Sequence, residues 1–412
     1  MNGSSIVRSD DLRNENRRRV LDTLRLAGAS SPASLGELTG LSAASISSLS
    51  SQMADQGIIQ SSRPKVQSNG GRGRPQSLID LSSSAGDIIT LSLTLDLIHV
   101  QRVNYAGELL HCNTREIQSR EIGESELLNT CQSAISQMMQ CSTGSPVQRI
   151  GVAYQGITEN NNGVLAWSPI IQHRNVNLGA FLHSSFNLPV SVNNDCRLIA
   201  EALSKSSRQL LGSSFATVLF SQGVGLGLYI DGKPFSGMRS SALELGHLRF
   251  ERNGALCRCG RRGCIEAYAA DYGIQRMVMG HDINDEPIGR VNAGQISKLC
   301  DAATANDKPA MQAFAIAGAA VGEGLSALFT LLDPMPVALV GRSKDCFALM
   351  RSGISSVFRN QPDATVNIDE LLHCFEDAEP LLQNGLINNT LSLLDHQFAY
   401  LTHTSFNTAP AQ

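Results

Sequence analysis

Residues 244–266 read Glu-Leu-Gly-His-Leu-Arg-Phe-Glu-Arg-Asn-Gly-Ala-Leu-Cys-Arg-Cys-Gly-Arg-Arg-Gly-Cys-Ile-Glu. One imidazole, His247, and three thiols, Cys257, Cys259 and Cys264, fall within eighteen residues. A Cys-x-Cys pair with a third cysteine five positions later cannot lie on one helix face. A glycine-rich knuckle, however, can wrap it around a single ion. One nitrogen and three sulfurs form a closed tetrahedral set, the usual coordination of structural zinc. Unpaired core cysteines and a redox site are the other readings of the same spacing. Glu244 and Glu266 flank the set, so an ion that pins this loop also fixes two carboxylates.

The remaining cysteines, Cys112, Cys131, Cys141, Cys196, Cys300, Cys346 and Cys374, have no framework spacing. They read as small hydrophobes of a reducing compartment. The opening residues, Met-Asn-Gly-Ser-Ser, offer neither a basic n-region nor an apolar core, so a cytoplasmic setting without a signal peptide is expected. Met311–Leu332 is the longest apolar stretch, but it contains Gln312, Glu323 and three glycines. It reads as a buried helix, and no membrane insertion is expected.

The chain has 412 residues, enough for two or three domains. Its formal charge of −4 is unevenly spread: residues 1–80 hold ten Lys/Arg against seven Asp/Glu. A basic head on an acidic body suits a polyanion-binding module attached to something else.

That head, residues 1–81, reads as a winged helix-turn-helix. Val20, Leu21, Leu24 and Ala27 recur at helical spacing over 14–27, and Gly28 stops the run. Ser31 caps a second helix with Pro32 at its first position. Ser42 starts a third helix, with Ile46, Leu49 and Met53 inward. Its outward residues are Ala43, Ala44, Ser45, Ser47, Ser48 and Gln52. Small residues admit close approach to a major groove, Gln reads adenine and Ala touches a thymine methyl. This helix has no Lys or Arg, so phosphate contacts are expected from Arg17, Arg18, Arg19, Arg63 and Lys65; the arginine run also reads as a solvated helix face. Arg72-Gly73-Arg74-Pro75 fits either a minor-groove hook or a plain linker.

From about residue 86 the pattern becomes α/β. Strands are expected on either side of Asp96, over 149–154 and 189–192, on either side of the Gly223-Val224-Gly225-Leu226-Gly227 run, and over 337–340. Helices are expected over 125–139 and from Cys196, and beyond residue 360 to complete the body.

The whole resembles the ROK family, bacterial sugar repressors and sugar kinases that share one body. The match rests on Glu244, Gly246, His247, Cys257, Cys259, Gly260, Gly263, Cys264 and Glu266, with the helix-turn-helix and Gly-Arg-Pro linker pointing to the repressor branch. The resemblance implies a two-lobed, actin-like, sugar-kinase-like α/β body, with one lobe over 82–196 and a second over 197–412, whose C-terminal helices return to the first. It also implies a sugar cleft between the lobes. Asn194 and Asp195 match the pair that holds the sugar in the family's kinases, where the Asp is the general base; here Asp195 is expected to bind sugar without catalysis. Its other reading is a helix N-cap. Glu244, His247 and Glu266 match further sugar contacts. His173 reads equally as a ligand contact or a surface histidine.

The phosphate-handling parts depart from the kinases. Ser92-Leu93-Thr94-Leu95-Asp96 replaces Asp-x-Gly-Gly-Thr, Gln222 replaces a threonine, and Gly341-Arg342 replaces Gly-Gly. The glycine run 223–227 is explained by tight hairpin geometry. The expectation is a non-enzymatic repressor of carbohydrate uptake or catabolism genes. Its expected partners are operator DNA and a sugar or sugar phosphate, and it is expected to act as a homodimer or homotetramer with structural Zn2+. A sugar kinase with a DNA-binding head, and a regulator controlled by a protein such as a sugar-transport component, are the alternatives.

Overall fold

The computed structural model describes residues 9–62, 77–142, 144–159, 163–238, 240, 243–287, 289–359 and 366–400. The head consists of α1 (Ser9–Ala27), α2 (Pro32–Thr39), α3 (Ala43–Asp55) and an antiparallel pair, β1 (Ile59–Ser62) with β2 (Leu78–Leu81). Ser31 accepts from the Ser34 amide and Ser42 from the Ser45 amide, each cap stabilising its helix by about 1 kcal/mol. Helix α1 begins five residues before the apolar repeat shows. Asp10 and Asp11 occupy its first turn, where carboxylates suit the helix dipole, and the turn has no buried face to betray it. The segment joining β1 to β2, which carries Arg63, Lys65, Arg72 and Arg74, lies outside the described residues.

The first lobe is built on β3 (Asp87–Thr94), β4 (Leu97–Asn104), β5 (Leu109–Glu116), α4 (Glu124–Gln140), β6 (Val147–Tyr154), a small hairpin β7 (Ile157–Thr158) and β8 (Leu165–Trp167), α5 (Leu178–Phe186) and β9 (Val190–Asn194). Its sheet runs β5-β4-β3-β6-β9, with β3, β6 and β9 parallel. Helices α6 (Asp195–Ser206) and α7 (Arg208–Leu211) lead into the second lobe. There β10 (Phe215–Phe220), β11 (Val224–Ile230) and β12 (Lys233–Pro234) are followed by a 3-10 turn at Leu245–His247. Next come α8 (Glu266–Ala269), α9 (Asp271–Met279), α10 (Ala293–Thr304), α11 (Lys308–Leu332), β13 (Val337–Val340), α12 (Lys344–Phe358), α13 (Ile368–Leu371) and β14 (Leu372–Phe375). This sheet runs β12-β11-β10-β13-β14, with β10, β13 and β14 parallel. Three antiparallel strands followed by two parallel additions thus occur twice. Helix α11 is, among the described residues, long and apolar enough to cross a membrane, but it is the central helix of this lobe, packed on α8, α9, α10 and α12.

The last helix, α14 (Ala378–Tyr400), leaves the second lobe and lies on the first. It packs on α6, β6 and β3 and also on α1. A Cβ on Gly385 would collide with the Leu198 carbonyl, so the two helices touch backbone to backbone there. Beyond residue 360 the sequence points only to helices; β14 is a strand of four half-buried residues, too short to show a period.

The apolar core of the head, Val20, Leu21, Leu24, Leu35, Ile46, Leu49 and Met53, is continuous with Ile88, Val103 and Tyr105 of the first lobe and with Leu391, Leu394 and Phe398 of α14. Polar groups fasten the same junction. Asp395, fully buried, accepts from Arg25 Nε at 2.5 Å and Nη2 at 2.7 Å and from the Tyr105 hydroxyl at 2.6 Å. Arg17 is likewise buried, donating to Gln56 Oε1 and to the Phe398 carbonyl. This corrects the expectation that Arg17 meets DNA phosphate: its guanidinium is sealed inside the junction. Arg18 pairs with Glu15 and Asp22, whereas Arg19 is exposed.

Removing one partner of a buried ion pair leaves the other charge stranded. Asp395→Ala is therefore expected to destabilise the chain by about 3–5 kcal/mol in denaturant unfolding, and the Arg25→Met, Asp395→Leu double variant by clearly less. Equal losses in both would show that the ion pair is not what holds the junction.

Candidate functional site

The cleft between the lobes is lined by Gln155, Gly156, Pro169, Asn194, Asp195, Glu244, His247 and Glu266, together with residues of β11. The side chains arrive from several elements, with Glu244 and His247 sharing the 3-10 turn. Asn194 closes β9 and caps α6: its Oδ1 accepts from the Arg197 amide at 3.1 Å and its Nδ2 donates to the Gly156 carbonyl at 3.1 Å. The cap therefore belongs to Asn194 and not to Asp195, and both ends of the Asn194 amide are already bonded. Asp195 opens α6, buried, with Oδ1 accepting from the Cys196 amide at 2.9 Å. Burial pushes its carboxyl up to about 6. Burial likewise pushes Glu244 up to about 7. Glu266, at the start of α8, accepts from the Val224 amide through Oε2 and from the Tyr272 hydroxyl through Oε1 at 3.3 Å. Three carboxylates thus face one narrow space.

The glycines at the start of β11 have a cause that hairpin geometry does not supply. A Cβ on Gly225 would strike Cys196 Sγ, and one on Gly227 the Cys196 carbonyl. Glycine is required because α6 lies directly on β11.

Behind the carboxylates, His247, Cys257, Cys259 and Cys264 bring their ligand atoms within 4.8 Å of one another. Cys259 and Cys264 sulfurs are 3.7 Å apart, and Cys257 Sγ lies 3.8 Å from His247 Nδ1. A tetrahedral ion with metal–sulfur bonds of about 2.3 Å needs edges of about 3.8 Å, so the set fits a metal ion. His247 turns Nδ1 to the thiols and Nε2 to Glu244 Oε2, 3.4 Å away. The coordination tautomer is thereby tied to the cleft carboxylate. Arg258, between two ligands, is buried over the Tyr272 ring and donates to the Gln222 and Gly289 carbonyls, stitching the knuckle to the β10–β11 hairpin. Trp167, the chain's one tryptophan, sits edge-on to His247 with ring centroids 5.1 Å apart. Neither contact is legible in the sequence, since each joins segments that share no motif.

On its other side the cleft continues into a cavity of about 520 Å³ lined by Leu95, Gln222, Asp271 and Arg342, whose polar side chains bond to neighbouring protein groups. Gln222 bonds both ways with Val291 and donates to Asp271 Oδ2 at 3.4 Å. Arg342, buried, donates to Asp271 Oδ1 at 2.9 Å and to the Ala269 carbonyl at 2.7 Å. Ser92 accepts from Gln383 of α14 at 2.9 Å, and Leu95 is buried. His173 does not line the cleft; its Nε2 meets the Ile122 carbonyl at 3.2 Å. On the head, Ala43, Ala44, Ser47 and Ser48 are exposed along α3, while Ser45 and Gln52 are half-buried. Among the scattered cysteines, Cys112 is exposed on β5 and does not behave as a core residue; Cys131, Cys196, Cys300 and Cys346 are buried, and Cys141 and Cys374 lie between.

Fold and site define a two-lobed, sugar-kinase-like body carrying a helix-turn-helix head. A sequence model of the ROK family matches residues 95–374, and the chain belongs to that family. It is 27% identical to the xylose repressor of Caldicellulosiruptor bescii over 349 residues, covering 82% of this chain and 85% of the repressor. It is 24% identical to the DNA-binding transcriptional repressor Mlc of Escherichia coli over 355 residues, 83% of this chain and 84% of Mlc. Among solved structures, a ROK family transcriptional regulator, a homologue of the E. coli Mlc protein, superposes with TM-score 0.74 at 22% identity, covering 94% of this chain and 98% of that one. A ROK family glucokinase from Streptomyces griseus, solved with glucose and AMPPNP, matches with TM-score 0.56 at 21% identity, covering 76% of this chain and all 100% of its own.

Cys264→Ser is expected to lower bound metal, measured by elemental analysis of the purified chain, from stoichiometric to background. Chelation of the wild type should change Trp167 emission, and the variant should give no such response. Unchanged metal content in the variant would remove Cys264 from the ligand set.

Proposed function

We propose that the protein represses genes of carbohydrate uptake or catabolism and that a sugar or sugar phosphate in the inter-lobe cleft controls its hold on operator DNA. The observation that carries this reading is the asymmetry of the cleft. Three carboxylates converge on one half, while Gln222, Asp271, Arg342, Ser92 and Gln383 bond to protein in the half where phosphate loops would be needed. Vicinal hydroxyls donate well to ionised carboxylates. Phosphoryl transfer needs backbone and metal contacts to a triphosphate, whereas these side chains spend their hydrogen bonds on the protein.

Zinc is the ion we assign to the His247–Cys257–Cys259–Cys264 set. Bound there it has a closed four-ligand shell and supplies structure only, holding Glu244, His247 and Glu266 in register. Asp195 is the first residue of α6, α6 packs on α14, and α14 is bolted to α1 of the head through Asp395. A ligand that prefers one lobe angle can thereby bias the head, provided its affinity differs between the two states. For the head we propose that Ala43, Ala44, Ser47 and Ser48 meet base edges in a major groove, with Ser45 and Gln52 beside them. Arg18, Arg19 and the segment with Arg63, Lys65, Arg72 and Arg74 serve phosphate and minor groove. A dimer or tetramer on a pseudo-palindromic operator follows from the usual symmetry of such readers. A sugar-transport protein as an additional partner is compatible with this scheme, but the carboxylate cleft favours a small molecule.

Asp195 tests the cleft. Its carboxyl titrates at about 6 in the folded chain, above the ordinary 3.8, so the stability it contributes is fully present below pH 4 and is lost as pH rises through 6. Asp195→Asn is expected to stabilise the ligand-free protein by about 1–3 kcal/mol at pH 7.5 and little at pH 4. It should also lower sugar-induced thermal stabilisation at least tenfold in apparent affinity, with operator affinity intact. Sugar binding by the wild type should weaken as pH falls below 6. Undiminished sugar response in the variant places the effector elsewhere, and phosphoryl transfer from ATP to a monosaccharide by the purified protein would overturn the repressor-only reading.

Replacing Arg72 and Arg74 together by Ala should weaken operator binding by about 1–3 kcal/mol and flatten its salt dependence. Equal binding across a salt titration would reduce the segment to a spacer.

A further inference from the structure

Asn194 faces the carboxylate cleft, but Asn193, one residue earlier on β9, lines a separate cavity of about 660 Å³. Alternate residues of a strand point to opposite faces, so the two cavities share β9 without sharing side chains. The floor of the second cavity is the edge strand β9 with Arg149 of β6. Its walls are α5 on one side and, on the other, Arg197 of α6 and Asn389 and Leu393 of α14.

Its electrostatics are one-sided. Arg149, Arg197 and His183 line it, and among the described residues no carboxylate does. The Arg149 side chain has no hydrogen-bond or ion-pair partner among the described residues, and its Nε is sealed from solvent, as are Arg197 Nε and Ser191 Oγ, all without partners. Burial lowers the Arg149 pKa. Arg197 commits only Nη1, to Asn193 Oδ1 at 2.7 Å. Two half-buried guanidinium groups without an internal counter-charge are costly to keep, and their planar forks match the oxygens of a phosphate. The volume suits a small molecule.

We propose that this cavity is a second effector site, for a small phosphate monoester, with Arg149 and Arg197 as its clamps and Ser191 and Asn193 as hydrogen-bonding partners. Its occupant would touch the helix that carries the head. Asn193 donates to Asn389 Oδ1 at 3.1 Å, and Asn389 donates to Glu201 at 3.1 Å, so β9, α6 and α14 meet in one network at the cavity wall. The site does not depend on the sugar cleft.

Calorimetric titration of the full-length, metal-loaded chain with inorganic phosphate and with glycerol 3-phosphate, an ester without a sugar ring for the carboxylate cleft, at constant ionic strength in chloride, tests it. Both probes are expected to bind, glycerol 3-phosphate more tightly, and Arg149→Gln and Arg197→Gln should each reduce affinity at least tenfold. Melting temperature and metal content, unchanged in both variants, would certify their folding. Asp195→Asn should retain phosphate binding. Equal affinity in wild type and variants, or loss of phosphate binding in Asp195→Asn, overturns the second site. Equal binding of the two probes overturns the ester assignment. A change of sedimentation coefficient in Arg149→Gln would mark the cavity as a contact between copies and overturn the proposal.

Discussion

Asp395 is the constraint on which the arrangement of the whole chain depends. A fully buried carboxylate is tolerated only when its charge and lone pairs are met. Here they are met by Arg25 of the head and by Tyr105, the residue that follows the first lobe's β4 strand. The C-terminal helix that presents Asp395 also covers the β6 face of the sheet and touches α6, whose first residue faces the cleft. Head, sheet and cleft are consequently parts of one packed body and not beads on a string. Arg17 strengthens the same seam from inside, which is why a residue that reads as a phosphate contact is unavailable to DNA.

The cleft gathers three carboxylates in one half, while polar side chains lining the other half bond to neighbouring protein groups. Gln222 and Arg342 both converge on Asp271, and Gln383 reaches across from α14 to Ser92. The first two bonds lie within the second lobe, and the third fastens α14 to β3 of the first. The His247–Cys257–Cys259–Cys264 set backs the carboxylate half, and its imidazole also points at Glu244.

Much of this was legible in the sequence, for identifiable reasons. The ligand set and its flanking glutamates are local, with spacing alone carrying the chemistry. The head's helices announce themselves through apolar period and caps, and strands on either side of Asp96 and Val224 through short apolar runs. What escaped was non-local or aperiodic. Asn194 and not Asp195 caps α6, a one-residue difference that propensity cannot resolve. The glycines at 225 and 227 answer to Cys196 on another element. β14 is too short for a pattern. The Trp167–His247 and Asp395–Arg25 contacts join distant segments, and the duplication of the two sheets is a matter of strand order without recognisable repetition of residues.

The span between Arg25 and Asp395 has a consequence for biosynthesis. The two are 370 residues apart, so a ribosome releases the head long before its clasp exists. At roughly 5–20 residues per second the interval is on the order of 20–70 s. A nascent or prematurely terminated chain therefore presents a head that has its own three helices but no anchor. Only a polypeptide translated nearly to its end can close the Arg25–Asp395 pair.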